Sequence, residues 1–314
     1  MDLIPFLNSL NISEIYHSSS TKLPNGELVM VRIGPDLRLA VSGGLCDEFT
    51  GALTKEGVSF CPPDHENRLV LNRLFPWTAP VAFGRDGSSF GFGDRQGFAN
   101  AAQIRSVTRT SVRPVLAQQS LRELQLTGRT LTEVMDCAAW AVFREGYRLG
   151  YACDGDHLKT LEEVRAAEAE GVTMITLDCS LVLRSAKKSA AEFSADFFGL
   201  PEEIQNKYKK RYLCSREAEA LCLNYSEPLL GQLHATYGEA IDLVCEVSRQ
   251  VLIPASRAID LEISLDETEE TTTPEAHYFV ARELEAAGIA ATSIAPKFVG
   301  EFQKAIDYIG DLDE

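Results

Sequence analysis

The chain is short of positive charge: 30 Lys and Arg stand against 46 Asp and Glu, a formal net charge of −16 over 314 residues. That balance leaves no basic stripe for nucleic acid, and an anionic membrane surface would repel it. Long apolar runs are missing too, and nothing approaches the roughly 18 residues of a membrane span. The first residues, MDLIPFLNSLNISEIYHSSS, lack the positive flank and apolar stretch of a signal peptide, which predicts a cytoplasmic protein. Cysteine occurs at positions 46, 61, 137, 153, 179, 214, 222 and 245, never as a C-x-x-C pair. This argues against disulfides and a structural zinc site and predicts reduced, mostly buried thiols. Nucleotide fingerprints are absent as well. The glycine-rich stretch GFGDRQGFANAAQIRSV matches neither G-x-G-x-x-G after a strand nor G-x-x-x-x-G-K-[ST]. What remains is a small-molecule or protein partner.

With 45% hydrophobic residues the chain can bury a large core, sized for one barrel-like domain or two smaller ones. Residues 1–90 combine short apolar runs (LVMVRI, LRLAVSG) with Gly, Pro and Ser punctuation, the pattern of a small β-rich region. From Arg113 strands alternate with helices. Strands are expected at about 114–119, 148–154, 172–178, 260–265 and 291–295, and capping signals are read at Thr130/Glu133, Thr160/Glu163 and Thr272/Glu275. A last helix is expected in EFQKAIDYIG. Alternation of this kind implies a parallel sheet, and the fold class is α/β, a TIM-barrel-like (β/α)8 domain over 91–314. Eight units are not visible, so the barrel is read as incomplete, with a helical insertion at about 186–257.

In parallel α/β folds reactive groups gather where strands turn into helices. Those positions hold Gln118, Gln119, Ser120 and Arg122, then Asp154, Asp156, His157 and Lys159, then Asp178, then Asp266 and Glu267, then Lys297. Carboxylates and imidazole from several strands make the donor set of a divalent metal site, which polarises carbonyls. The run DGDHLK reads equally well as a helix-capping aspartate followed by a packed histidine. Arg95 can grip a carboxylate bidentately or simply pair with an acidic neighbour. His277 and Trp140 fit ordinary packed positions.

Five blocks carry a family resemblance: GFGDRQGFANAAQIR, PVLAQQSLRE, EGYRLGYACDGDHLKT, DETEETTTPEAHYFVARELEAAGI and APKFVGEFQKAIDYIGDLDE. In this order they resemble the tagaturonate epimerase family across most of residues 90–314. The resemblance implies interconversion of D-tagaturonate and D-fructuronate in hexuronate catabolism, with a sugar acid as partner and a divalent metal ion as cofactor. Within it, Asp156, His157 and Glu267 are the candidate metal groups, and Asp154 or Glu301 the proton-transfer group. Gln118, Gln119 and Arg122 position the substrate, Arg95 and Lys297 take its carboxylate, and Lys159 binds substrate or forms a Schiff base as in an aldolase.

Two departures stand out. Relatives continue after the third strand with a D-P-S-D-H-like run, whereas this chain reads Asp178, Cys179, Ser180, Leu181, Val182, which removes an acidic and an imidazole position. Relatives also run past the position of Glu314 into a His-Ser-Gly-Ser-Asp-Lys-like segment, which implies a further strand and further site residues. The alternatives that follow are a metal-dependent sugar isomerase or aldolase on the same fold, or a sugar-acid-binding homologue without turnover. Oligomeric state is not legible.

Overall fold

The computed structural model describes residues 2–54, 56–184, 188–266, 270–301 and 306–313. The chain gathers into two compact units, Met1–Asp156 with Ala166–Met174 and Arg257–Ile259, and His157–Arg165 with Ile175–Ser256 and Asp260–Glu314.

The first unit opens with α1 (Leu3–Asn8) and an antiparallel sheet of β1 (Glu14–Leu23), β2 (Gly26–Ile33), β3 (Asp36–Ser42), β4 (Ala52–Leu53) and β5 (Val58–Cys61), ordered β1-β2-β3-β5-β4. This is the β-rich region expected at the N-terminus. The apolar run in β2 has no polar alternation because both faces are covered: Leu28 and Met30 pack on one side with Leu39, Val41, Leu71, Trp140 and Phe143, and Val29 and Val31 on the other with Leu3, Leu7, Ala40 and Val58. Burying each such side chain is worth about 1.5–3 kcal/mol. The helices that supply the first cover are α2 (His65–Leu74) and, after β6 (Ser89–Gly91), α3 (Asn100–Val107), β7 (Arg113–Ser120) and α4 (Leu121–Thr127), the long α5 (Leu131–Glu145). Helix α5 starts at the expected capping box, in which Thr130 Oγ1 accepts the Glu133 N–H (3.1 Å) and Glu133 Oε2 accepts the Thr130 N–H (2.7 Å).

Then come β8 (Ala152–Leu158), α6 (Leu161–Glu170) and β9 (Met174–Asp178). In the second unit α7 (Ala190–Gly199), α8 (Glu202–Tyr208), α9 (Arg216–Ala220) and α10 (Glu227–Val247) form the expected helical stretch, with π-turns at Lys209–Leu213 and Ser248–Leu252. A Cβ on Gly231 of α10 would stand 2.1 Å from the carbonyl oxygen of Phe193, so glycine there sets how closely α10 crosses α7. Buried Glu283 is held by the Tyr212 hydroxyl (2.7 Å), Lys207 Nζ (3.0 Å) and Arg211. The chain continues through β10 (Asp260–Ser264), α11 (Pro274–Ala286) and β11 (Ser293–Ala295).

Strands β6 to β11 form the second sheet in the order β6-β7-β8-β9-β10-β11, the same in space as in sequence. The pairs β6–β7, β7–β8 and β10–β11 are parallel. Sequential parallel neighbours with helices between them are the pattern of a (β/α)8 barrel. Among the described residues the sheet has six strands rather than eight, so the α/β class and the barrel-like order stand without a full barrel.

Three local expectations need correction. The second strand was expected at 148–154 and runs over Ala152–Leu158, because Gly150 (φ 86°) still belongs to the turn. The cap of α11 is Thr273, whose hydroxyl accepts the Ala276 N–H; Pro274 takes the first helical position, where its missing N–H costs nothing. In EFQKAIDYIG, residues 302–305 lie outside the described residues, and Glu301 pairs with Ile309 in an isolated antiparallel bridge where a helix was expected.

Candidate functional site

Successive strand residues point to opposite faces of a sheet, so register decides which polar groups meet. In the first unit Gln118 is in register with Asp154, and Ser120 with Asp156. These four side chains therefore form a two-by-two patch on one face, at the carboxyl ends of β7 and β8, where parallel α/β folds place their chemistry. Asp154 is 0% exposed and Asp156 half-buried. Two carboxylates, an amide and a hydroxyl make an acceptor-rich set for sugar hydroxyls, and a carboxylate there can take or give a proton.

Gln119 is in register with Gly155 and points the other way. It is buried, its Oε1 accepts from Arg129 Nη1 at 3.3 Å, and its Nε2 has no hydrogen-bond partner among the described residues. The two adjacent glutamines thus lie on opposite sides of the sheet, and only Gln118 shares a face with the aspartates.

The glycine-rich loop before α3 is organised by Asp94. Its Oδ1 accepts the N–H groups of Gly97 (2.8 Å) and Phe98 (3.2 Å), and its Oδ2 those of Ala99 (2.6 Å) and Asn100 (3.1 Å). Arg95 pairs with Glu123, Nε to Oε1 at 2.6 Å, rather than with Asp94 beside it. The Glu123 N–H in turn reaches Ser120 Oγ at 3.4 Å, so Arg95 sits one residue pair away from the patch. Arg122 is exposed in the first turn of α4.

In the second unit His157 follows the patch with φ 55°, a left-handed conformation uncommon outside glycine and worth noting where chemistry is expected. Beyond it, Glu163 Oε2 accepts the N–H groups of Lys159 (2.7 Å) and Thr160 (3.1 Å), and Thr160 Oγ1 accepts the Glu163 N–H (3.2 Å), the capping signal read from the sequence. Lys159 Nζ lies 3.0 Å from Asp178 Oδ2 and 2.9 Å from Ser180 Oγ, and Asp178 Oδ1 accepts the Ser180 N–H at 2.8 Å. Burial raises the Asp178 carboxyl, but hydrogen bonds from Ser180 and Lys159 outweigh it and hold the group below the ordinary aspartate range. Lys159 is thus held by an ion pair with Asp178 and a hydrogen bond to Ser180 at the end of this strand. Burial pushes the neighbouring Cys179 thiol up to about 12, which keeps it a neutral packed group.

On β10, Glu262 and Ser264 share a face; Ser293 of β11 donates to Glu262 Oε2 at 2.6 Å, and Ser264 donates to Asp266. Neither Glu262 nor Ser293 stood out in the sequence, though the alternation in DLEIS carried the signal. Lys297 is fixed through its backbone, its N–H donating to Thr272 Oγ1 at 3.0 Å. Glu301 is exposed. Glu267 lies outside the described residues. Among the described residues no three His, Cys, Asp or Glu side chains come together as a metal centre, and no helix is long and apolar enough to cross a membrane.

Residues 16–314 match the family model described as tagaturonate epimerase. A tagaturonate/fructuronate epimerase of Thermotoga maritima is 36% identical over 311 residues, covering 95% of this chain and 63% of that protein. The native crystal structure of the fructuronate-tagaturonate epimerase of Cohnella laeviribosi is 38% identical and superposes with a TM-score of 0.91, over 99% of this chain and 64% of that one. Its complex with one glycerol gives 0.90. The chain therefore spans a little under two thirds of the length of these relatives.

Proposed function

The chain belongs to the tagaturonate epimerase family, and on that premise we propose that it serves the interconversion of D-tagaturonate and D-fructuronate. The observation that carries the proposal from family to chemistry is the patch itself, a buried Asp154 in register with Gln118 beside Ser120 and Asp156.

The two ketohexonates differ at one hydroxyl-bearing carbon that lies β to the ketone, so abstraction of an α-proton cannot invert it. A retro-aldol route can. A carboxylate takes the β-hydroxyl proton, the bond between the α and β carbons breaks, and its electron pair becomes an enediolate on the ketone fragment. The new aldehyde turns about its bond to the rest of its fragment and presents its other face. Re-addition then restores the carbon–carbon bond and the proton returns to the new alkoxide, so atoms and electrons balance without an organic cofactor. In this reading Asp154 is the acid-base group, with Glu301 as the alternative. Gln118 and Ser120 hold sugar hydroxyls on the same face. Arg95 and Lys297 enter by chemical type, as cations for the substrate carboxylate, with Arg122 and Lys159 as further substrate-binding groups.

A divalent cation is part of the proposal, since when bound it would stabilise the negative charge of the enediolate. Asp156 and His157 offer one carboxylate and one imidazole, short of the three protein ligands such sites use. Glu267, the third candidate, lies outside the described residues, so the described residues do not complete a ligand set and no step above is routed through the ion. A cytoplasmic location and a sugar acid as the small-molecule partner belong to the same reading.

The test is incubation of the purified chain with D-fructuronate, following D-tagaturonate by chromatography, in parallel with a protein of the relatives' length. Interconversion supports the epimerase. Cleavage without an epimeric product would favour an aldolase, and binding without any product would favour a sugar-acid-binding homologue.

A further inference from the structure

Among the described residues, the C-terminal half of β7 has a strand partner on one side only. Strand β6 pairs with Arg113, Pro114 and Val115 and goes no further, whereas Gln118, Gln119 and Ser120 pair with β8 alone. A side chain outside the sheet is tied to this stretch from its rear face. Arg129 lies in the short link between α4 and α5, just after Gly128 (φ 65°), and its guanidinium meets acceptors on three different elements. Nη1 donates to the Asp94 carbonyl (2.8 Å) and to Gln119 Oε1 (3.3 Å), while Nη2 donates to Cys137 Sγ (3.4 Å) and the Glu133 carbonyl (3.5 Å). Loop, strand end and helix are thereby tied to one planar cation, whose fork of donors suits several acceptors at once.

We infer that Arg129 is a positioning residue for the reaction: through Gln119 it fixes, from the rear of the sheet, the backbone that carries Gln118 and Ser120 at the front. This rests on the epimerase reading. The loop leaves room for the guanidinium by means of one glycine. A Cβ on Gly97 would stand 3.0 Å from Arg129 Nη2 and 3.1 Å from Cys137 Sγ, at φ 78°, where a side chain is strained in any case. Arg129 does not reach the patch face, so its effect passes through geometry, to which rate is sensitive: a misplacement of 1 Å costs about 100-fold.

The experiment compares wild type with Arg129→Ala, Arg129→Lys, Gln119→Leu and the double variant Arg129→Ala/Gln119→Leu, measuring kcat and KM for D-fructuronate together with thermal unfolding. Arg129→Ala is expected to lower kcat/KM by about 10- to 100-fold, mainly through kcat, with millimolar guanidinium restoring part of the loss in that variant and none in wild type. Arg129→Lys should fall between the two. The double variant should be no worse than the poorer single one, as for residues acting in series. Wild-type kcat/KM in Arg129→Ala, or a loss that guanidinium does not reverse and that matches the unfolded fraction, overturns the inference. A wild type that turns over nothing overturns the epimerase reading, and the inference falls with it. An active wild type with insensitive variants overturns the inference alone.

Discussion

A Cβ placed on Gly91 would stand 2.0 Å from Oε1 of Gln118, so the amide of Gln118 lies directly across the backbone of β6. Only a hydrogen at position 91 permits that approach. Gly91→Ala should therefore push Gln118 off its position on the patch and lower kcat/KM by about tenfold or more, while stability changes by about 1–2 kcal/mol. Steady-state kinetics with urea unfolding separates the two effects. An alanine variant with wild-type kinetics would show that the amide takes no part.

Asp154→Asn keeps shape and hydrogen-bond reach but removes the base. Turnover should drop by about 100- to 10,000-fold with the fold intact by circular dichroism. With the wild type in D2O, the inverted carbon should keep its own hydrogen, because the retro-aldol route breaks a carbon–carbon bond there and leaves the C–H bond alone. Deuterium at that carbon, read by NMR, would rule the route out.

Lys159→Met leaves the buried Asp178 carboxylate without its cation. The folded-state carboxyl of Asp178 is held below its ordinary range, so its contribution is present above the unfolded value of about 3.9 and is lost as the pH falls through the lower folded value. At pH 7 the variant should be less stable by about 2 kcal/mol. That is below the range for fully buried pairs, since the Lys159 side chain is 35% exposed. The difference should shrink below about pH 4. Urea titrations at pH 7 and pH 3 check this, and an equal loss at both would mean that the charge pair is not the source.

His157→Ala tests the metal part of the proposal. Elemental analysis of wild type should find a stoichiometric divalent ion, and the variant should lose it while remaining folded. Unchanged metal content in the folded variant would remove His157 from the ligand set.

The features legible in the sequence were those fixed by local chemistry. The Thr130/Glu133 and Thr160/Glu163 caps depend on neighbours three residues apart, and the apolar cores of β7, β9 and β10 depend on composition. The polar end of β8 was harder to read. Asp154, Gly155 and Asp156 have poor strand propensity, and they pair with β7 residues some 36 residues away in sequence. Strand β6 is three exposed residues that nothing local marks. The face shared by Gln118 and Asp154 follows from register, which no single segment encodes. Arg129 gave no signal, because its role depends on four acceptors brought together by loop, strand and helix.

The loop around Asp94 bears on how the chain folds. All four amides gathered by that carboxylate come from positions three to six residues ahead of it, so closing the loop costs little chain entropy and needs no distant partner. Such contacts form on the timescale of short-loop closure, well before strands separated by tens of residues can pair. The turn into α3 is therefore expected to close ahead of the long-range pairing, with the carbonyl that Arg129 grips presented before β7 and α5 arrive.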